Sequence, residues 1–415
     1  MALPEHGRSK DELLAELESM RAQDVDWRSG RCFSYVFSAG DEVRDVARAA
    51  TAMYLSENAL NTAAFPSLGR LQAEVVDAVS GFAHGGAEAA GFMTSGGTES
   101  ILCVVKAARE RAKRERGITE PEMVLPESAH AAFHKGAHYF GVRAITAPVG
   151  TDFRADVDAM AAAVTERTAL VVGSAPQYPQ GVIDPIPEIA ALAAGVGASF
   201  HTDACMGGMV LPFLEQLGDP VAPWDFRVDG VTSISIDLHK LGYTPKGASV
   251  VLHRSKALRR DQTFAFDGWL GGMYASSGMA GTKPGGPIAA AWAVLNFLGE
   301  EGYRRLTRTT VDAARRIAAG AGAVAGLRVL GEPDAHVLAL AADESGTLDV
   351  FALGDALRER GWFLDRQGPP DSLHATVSAG NAPVIDELLV DLETCAAVAR
   401  AASAADRDTS YATLE

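Results

Sequence analysis

The sequence predicts an α/β protein of two domains, a large one on a mostly parallel sheet and a smaller α+β one after it. Three observations carry this. Between residues 58 and 287 short apolar runs alternate with segments of helical periodicity, as in a sheet covered by helices on both faces. From residue 288 on, the alternation gives way to one long helical stretch and a few short strands. At 415 residues and 47% hydrophobic, the chain exceeds one typical domain and has apolar content for two cores.

Residues 1–57 read as an arm without a core of its own. An amphipathic helix near Glu12–Met20 and a second near Val43–Tyr54 flank the irregular piece WRSGRCFSYVFSAGD. In residues 58–287, Ser100–Arg116 sets Ile101, Leu102, Val104, Val105 and Ala108 at helical spacing. Strands are expected at Glu122–Leu125, Arg143–Val149, Ala169–Gly173 and Ala198–Asp203, with a helix at Ile186–Ala194. Val231–Leu238 is the clearest strand, with Ile234, Ile236 and Leu238 on one face and Ser233, Ser235 and Asp237 on the other. Gly247–His253 is another. Ligands of such sheets bind beyond the carboxyl ends of the strands. Residues 288–415 give a long helix (Ile288–Ala323), strands at Arg328–Leu330 and His336–Leu340, a helix at Val350–Arg360, a strand at Leu373–Ser378 and a last helix at Pro383–Ala401. The tail from Ala404 is polar and expected to fray.

Composition narrows the function. With 37 basic and 53 acidic residues the formal charge is −16, which disfavours nucleic acid and anionic membranes as partners. The first residues are charged and unlike a signal peptide, and IAAGAGAVAGL from Ile317 is too short and Gly-rich to span a bilayer. Cys32, Cys103, Cys205 and Cys395 are far apart, which favours reduced thiols. A soluble cytoplasmic protein is expected.

Four motifs carry chemistry. In MTSGGTES (Met93–Ser100), Ser95, Gly96, Gly97 and Thr98 precede a periodic helix, so free N–H groups and hydroxyls can hold an anion. The motif lacks the GK[ST] ending of a Walker loop, and alone it is equally a capped glycine turn. Lys240 follows a buried strand in SISIDLHK, beside His239. A partly desolvated lysine near other cations has a lowered pKa and is nucleophilic, although a lone strand-end lysine is commonly ordinary. Asp203 ends the strand in SFHTDAC, where it either caps a turn or pairs with a buried cation. Pyridoxal 5'-phosphate (PLP) needs such an acid beside its pyridine nitrogen. Lastly, His130, His134 and His138 recur every fourth residue and would share one helix face. A metal site on them lacks the glutamate of HExxH and is interrupted by Lys135 and Gly136, so His130 alone, stacking on an aromatic cofactor, is the better reading.

Phosphate cradle, stacking histidine, strand-end aspartate and strand-end lysine come in the order found in PLP enzymes of fold type I, the aspartate-aminotransferase-like fold. The segments GFMTSGGTESIL, ESAHAAFHKGAHYFG, GSAPQYPQGVIDPI, HTDACMGG and DFRVDGVTSISIDLHKLGYTPKGASVVL resemble the sphingosine-1-phosphate lyase branch of the group II PLP-dependent decarboxylase family. The resemblance covers about residues 58–302. It implies that Lys240 carries PLP as a Schiff base, that Asp203 faces the pyridine nitrogen and that His130 stacks on the ring. It implies a phosphate held by Ser95, Gly96, Gly97, Thr98 and His239, with His201 near the ring hydroxyl. Tyr178 matches a tyrosine near the reacting centre, and Asn58, Asn61, Lys246 and Lys283 match substrate-side positions. A homodimer with shared active sites and a small amino substrate are implied as well. Carbon–carbon cleavage is the first expectation. Amino-acid decarboxylation, or a PLP-binding protein with altered catalysis, are the alternatives.

The substrate side departs from the pattern. Asn61 stands where the family has His, Phe37 where it has Tyr, and Lys283 where it has Arg, which is not a conservative change for phosphate binding.

Overall fold

A computed structural model describes residues 3–412. The arm holds α1 (Lys10–Met20), opened by a capping box from Ser9 and Glu12, and α2 (Asp41–Met53). Next come α3 (Pro66–Phe82), β1 (Ala90–Thr94), α4 (Gly97–Arg116), β2 (Glu122–Pro126), α5 (Ala132–Phe140), β3 (Arg143–Ala147) and α6 (Val157–Ala163). They are followed by β4 (Thr168–Ser174), α7 (Ile186–Gly195), β5 (Ser199–Asp203), α8 (Leu211–Gln216), β6 (Ser233–Ile236), β7 (Ser249–His253) and the short α9 (Lys256–Arg259). A hairpin of β8 (Phe264–Phe266) and β9 (Tyr274–Ser276) leads to α10 (Gly285–Ala323). The remainder is β10 (Leu327–Val329), β11 (Val337–Ala342), α11 (Val350–Glu359), β12 (Asp365–Gln367), β13 (Ser372–Thr376) and α12 (Ile385–Ala399).

The large sheet has seven strands in the order β1-β7-β6-β5-β4-β2-β3. It is mostly parallel, as expected, but β7 runs antiparallel to both of its neighbours. The reason is the connection. Residues 237–248, between β6 and β7, hold no crossover helix, so the chain turns straight back. That return loop carries Lys240. Both β1 and β6 oppose β7, so the carboxyl ends of β1, β4, β5 and β6 open on one edge of the sheet.

The four-stranded sheet β10-β11-β13-β12 is antiparallel, and α11 and α12 cover it together with the second part of α10. The long helix α10 is broken at Gly299, whose φ of 56° leaves the helical region. The arm packs into the rest of the chain. Phe33 is fully buried in the core of the small domain, 6.3 Å from the Trp362 ring. Its backbone N–H donates to Phe363 O at 3.0 Å and its carbonyl accepts from Thr376 N at 2.8 Å. The α1 helix buries no residue, and Leu13, Leu14 and Leu17 on it are exposed.

Candidate active site

The sheet edge described above opens on a cavity of about 340 Å³. Ser95, Gly96, Gly97, Thr98, His130, Tyr178, Asp203, His239 and Lys240 all line it. These residues lie far apart in sequence, and the fold gathers them because each follows the carboxyl end of a strand or the start of a helix.

The α4 N-terminus forms one wall. No side chain caps this helix, and Gly96 and Gly97 keep the wall bare. A Cβ on Gly97 would lie 2.9 Å from Cys205 Sγ and 3.0 Å from Asp237 Oδ2, so any larger residue has to displace a neighbour. Ser95 is partly committed elsewhere. Its N–H and hydroxyl both donate to Glu99 Oε2 at 2.7 Å. That leaves the N–H groups of the first helical turn and the Thr98 hydroxyl to meet an anion.

Asp203 and Lys240 form the floor. Asp203 Oδ1 accepts from Cys205 N at 3.0 Å and from Ser235 Oγ at 3.2 Å. Lys240 Nζ lies 2.9 Å from Asp237 Oδ2. The expected lowered lysine pKa is overturned by this contact. Burial alone would drive the ammonium down, but Asp237 and the other acidic groups around it hold Lys240 above the usual lysine range. Asp237 is itself held below the usual carboxylate range, burial being outweighed by Lys240 and His239.

His130 precedes α5 instead of lying on it. Its Nδ1 accepts from Ala132 N at 3.1 Å, and burial lowers its pKa, which keeps the ring neutral. His134 and His138 are exposed on α5, so the three histidines do not share the face that their spacing suggested. Tyr178 is stacked on His374, ring centroids 3.9 Å apart. Burial, with Asp365 and Tyr411 added, holds its hydroxyl well above the usual tyrosine range.

Other expected site residues stand away from the cavity. His201 lies one layer beneath it, with Nδ1 3.0 Å from Ser233 Oγ and Nε2 3.1 Å from Ser235 Oγ. It reaches Asp203 only through Ser235, because its side chain is enclosed under β6. Lys246 Nζ donates to His239 O at 3.2 Å and sits 4.8 Å from the Phe37 ring centroid, behind the lining. Burial brings its pKa down to about 8. Lys283 Nζ donates to Met93 O at 2.9 Å over the Phe92 ring, and burial brings it to about 8. Asn58 and Asn61 cap their own turn, accepting from Leu60 N and Ala63 N. Asp237, Glu99, Cys205 and Tyr411 line the cavity without having been singled out. The polar face of the Val231–Leu238 alternation could have found Asp237. Nothing near Tyr411 in sequence points to the site.

PLP fits these residues. Asp237 Oδ1 and His239 Nδ1 are buried at the cavity without partners, and the glycine wall leaves room for a phosphate. Comparisons with known proteins agree. Residues 1–324 match the pyridoxal-dependent decarboxylase conserved domain. A sphingosine-1-phosphate lyase of Arabidopsis thaliana is 40% identical over 389 residues, covering 92% of this chain and 71% of that protein. The structure of a sphingosine-1-phosphate lyase of Burkholderia pseudomallei superposes with a TM-score of 0.92 at 39% identity, over 97% of this chain and 93% of that one. A glutamate decarboxylase of Lactobacillus brevis shares the fold, with a TM-score of 0.84 at 20% identity over 97% and 96% of the two chains.

Proposed function

Because this chain belongs to the pyridoxal-dependent decarboxylase family and is a PLP-dependent lyase, we propose that it cleaves the carbon–carbon bond next to the amino carbon of a phosphorylated amino alcohol. The observation that carries the reading is one cavity in which Lys240, Asp203, His130 and the α4 start converge, in a chain 40% identical to a lyase of that substrate class. PLP, when bound, supplies an electron sink for the pair released as the bond breaks.

The chain's own groups do the rest. The first turn of α4, the Thr98 hydroxyl and His239 would hold the cofactor phosphate. Asp203, its rotamer fixed by Cys205 N–H and Ser235 Oγ, would hold a proton on the pyridine nitrogen. His130, its pKa lowered by burial, would offer its ring to stack on the cofactor. Lys240 Nζ would be the covalent anchor, and Asp237, 2.9 Å away, holds it charged in the free protein and would take up its proton when the bond to the cofactor forms. Tyr178 lines the same cavity with its hydroxyl held protonated, and would serve as a proton donor there.

The proposal extends to a homodimer in a reducing, cytoplasmic setting. The four cysteines are buried and free. Leu13, Leu14 and Leu17 on α1, and Trp269, Leu270 and Met273 in the β8–β9 connection, are exposed in the single chain and are suited to cover by a second copy. The segment at Asn58–Asn61 is tied to Lys283, Ala59 N donating to Lys283 O at 2.8 Å. In a dimer these substrate-side residues would serve the partner's cavity. The experiment supplies the purified, PLP-loaded protein with long-chain phosphorylated amino alcohols and with amino acids, and measures aldehyde and carbon dioxide. Aldehyde from the former supports the reading, and carbon dioxide alone replaces it with decarboxylation. Light scattering on the same sample gives twice the chain mass if the dimer holds.

A further inference from the structure

Beyond the last helix, the chain folds back across the small domain to the cofactor cavity. Arg366 Nη1 donates to Asp406 O at 2.7 Å. Arg407 pairs with Asp349 Oδ2 at 2.9 Å and with Asp371. Ser410 N donates to Asp408 Oδ1 at 2.9 Å. These ties deliver Tyr411 to the site. Its ring meets His130 edge-on at 5.5 Å and Tyr178 edge-on at 5.4 Å, both on the cofactor wall.

Tyr411 stands between two cavities. It lines the cofactor cavity of about 340 Å³ and also an outer cavity of about 740 Å³, and His130 and Tyr178 are common to both. The outer cavity is walled largely by apolar groups, among them Val149, Phe153, Pro179, Pro369 and Pro370. The inner one is near the small end of ligand sites, so a cofactor and a polar head group fill it. A long apolar chain attached to that head group has to leave through a wall, and the wall that faces apolar space is Tyr411.

We propose that Tyr411 is a specificity-determining residue whose ring is the movable wall between the cofactor cavity and an apolar outer cavity that takes the hydrocarbon chain of the substrate. This rests on the reading above that the substrate is an amino alcohol. Few contacts oppose the movement. Tyr411 is 54% exposed although its hydroxyl end faces the cavity, forms no hydrogen bond among the described residues, and meets His130 and Tyr178 only in T-shaped ring contacts. Its anchors at Asp406 and Arg407 lie on the surface of the small domain, so the ring can swing while the segment stays tied.

The test uses Tyr411→Ala and Tyr411→Phe in the full chain with two readouts. One is the rate at which apoprotein takes up PLP, followed by absorbance without any substrate. The other is the ratio of kcat/KM for long-chain over short-chain phosphorylated amino alcohols. Tyr411→Ala is expected to speed PLP uptake and raise the chain-length ratio, each by about tenfold, while Tyr411→Phe, which keeps the ring, leaves both unchanged. Unchanged uptake and an unchanged ratio in Tyr411→Ala overturn the proposal. So does a Tyr411→Phe protein that behaves like Tyr411→Ala, because the hydroxyl and not the ring would then matter. If no amino alcohol of either length is cleaved, the substrate reading fails, and PLP uptake still decides whether Tyr411 is the wall.

Discussion

Asp203 is fixed before any ligand arrives. Cys205 N–H and Ser235 Oγ occupy one carboxylate oxygen, at 3.0 and 3.2 Å, and His201 backs Ser235 from below. The other oxygen is left to the cavity. An acid pinned in this way would lose little entropy on meeting the pyridine nitrogen. Asp203→Ala is therefore expected to keep PLP bound through Lys240 and the α4 start, yet to lose turnover by at least about a hundredfold. Absorbance of the bound cofactor and kcat on the same preparation check this, and near-normal kcat would assign the nitrogen to another group. His201 has a different weight. It holds Ser235 and so acts on Asp203 at one remove.

At the scale of elements, the start of α4 decides cofactor affinity. It follows β1 directly and meets the loop after β6, with Gly97 in contact with the Cys205 and Asp237 side chains. A methyl group there must displace either the Cys205 and Asp237 side chains or the helix start. Overpacking of this kind costs about 1–3 kcal/mol. Gly97→Ala should weaken PLP binding by about tenfold or more while the protein stays folded, as read by PLP titration beside a thermal melt. An unchanged dissociation constant would show that the wall has slack. Elements of this kind were legible from sequence where the pattern is strong. The alternation of Val231–Leu238 located β6, and the spacing of Ile101, Leu102 and Val105 located α4. β1 escaped because AGFMT has neither alternation nor an apolar run, and the β8–β9 hairpin because its strands are short and exposed. The strand-end positions of Asp203 and Lys240 could be read because ligand sites gather there in such sheets. The depth of His201 could not, since alternation puts it on the same face as Asp203 without saying that β6 encloses it. The raised pKa of Lys240 depends on a contact with Asp237 that the return loop creates. Tyr411 arrives by a long-range path that no local pattern encodes.

For the whole molecule, buried imidazoles set the response to acid. His201, His253, His336 and His374 are all enclosed. Burial lowers His201 and His253 to about 4 and His336 and His374 to about 3. His336 has both ring nitrogens without a partner, so the fold offers its charged form nothing. In the unfolded chain the same groups take up protons near the ordinary value of about 6.5. The unfolded state then binds more protons than the folded one, and stability is full above that pH and falls as pH drops from about 6.5 towards 4, by up to about 1.4 kcal/mol per pH unit for each group. Urea denaturation in steps of pH reads the slope, and His336→Gln should flatten it. A stability that stays level between about pH 7 and pH 5 would refute the argument.

The placement of Phe33 has one more consequence, which concerns biosynthesis. A ribosome delivers this residue early, yet its packing partner Trp362 and its backbone partners Phe363 and Thr376 belong to the last part of the chain. Domains commonly fold as they emerge, amino-terminal first. Here the nascent arm has to wait with an aromatic side chain uncovered until the small domain is complete, and only then do Phe33 and its neighbours Arg31, Cys32 and Tyr35 close onto it. Translation speed and chaperone cover across that interval should govern the yield of active protein more than the stability of the finished fold does.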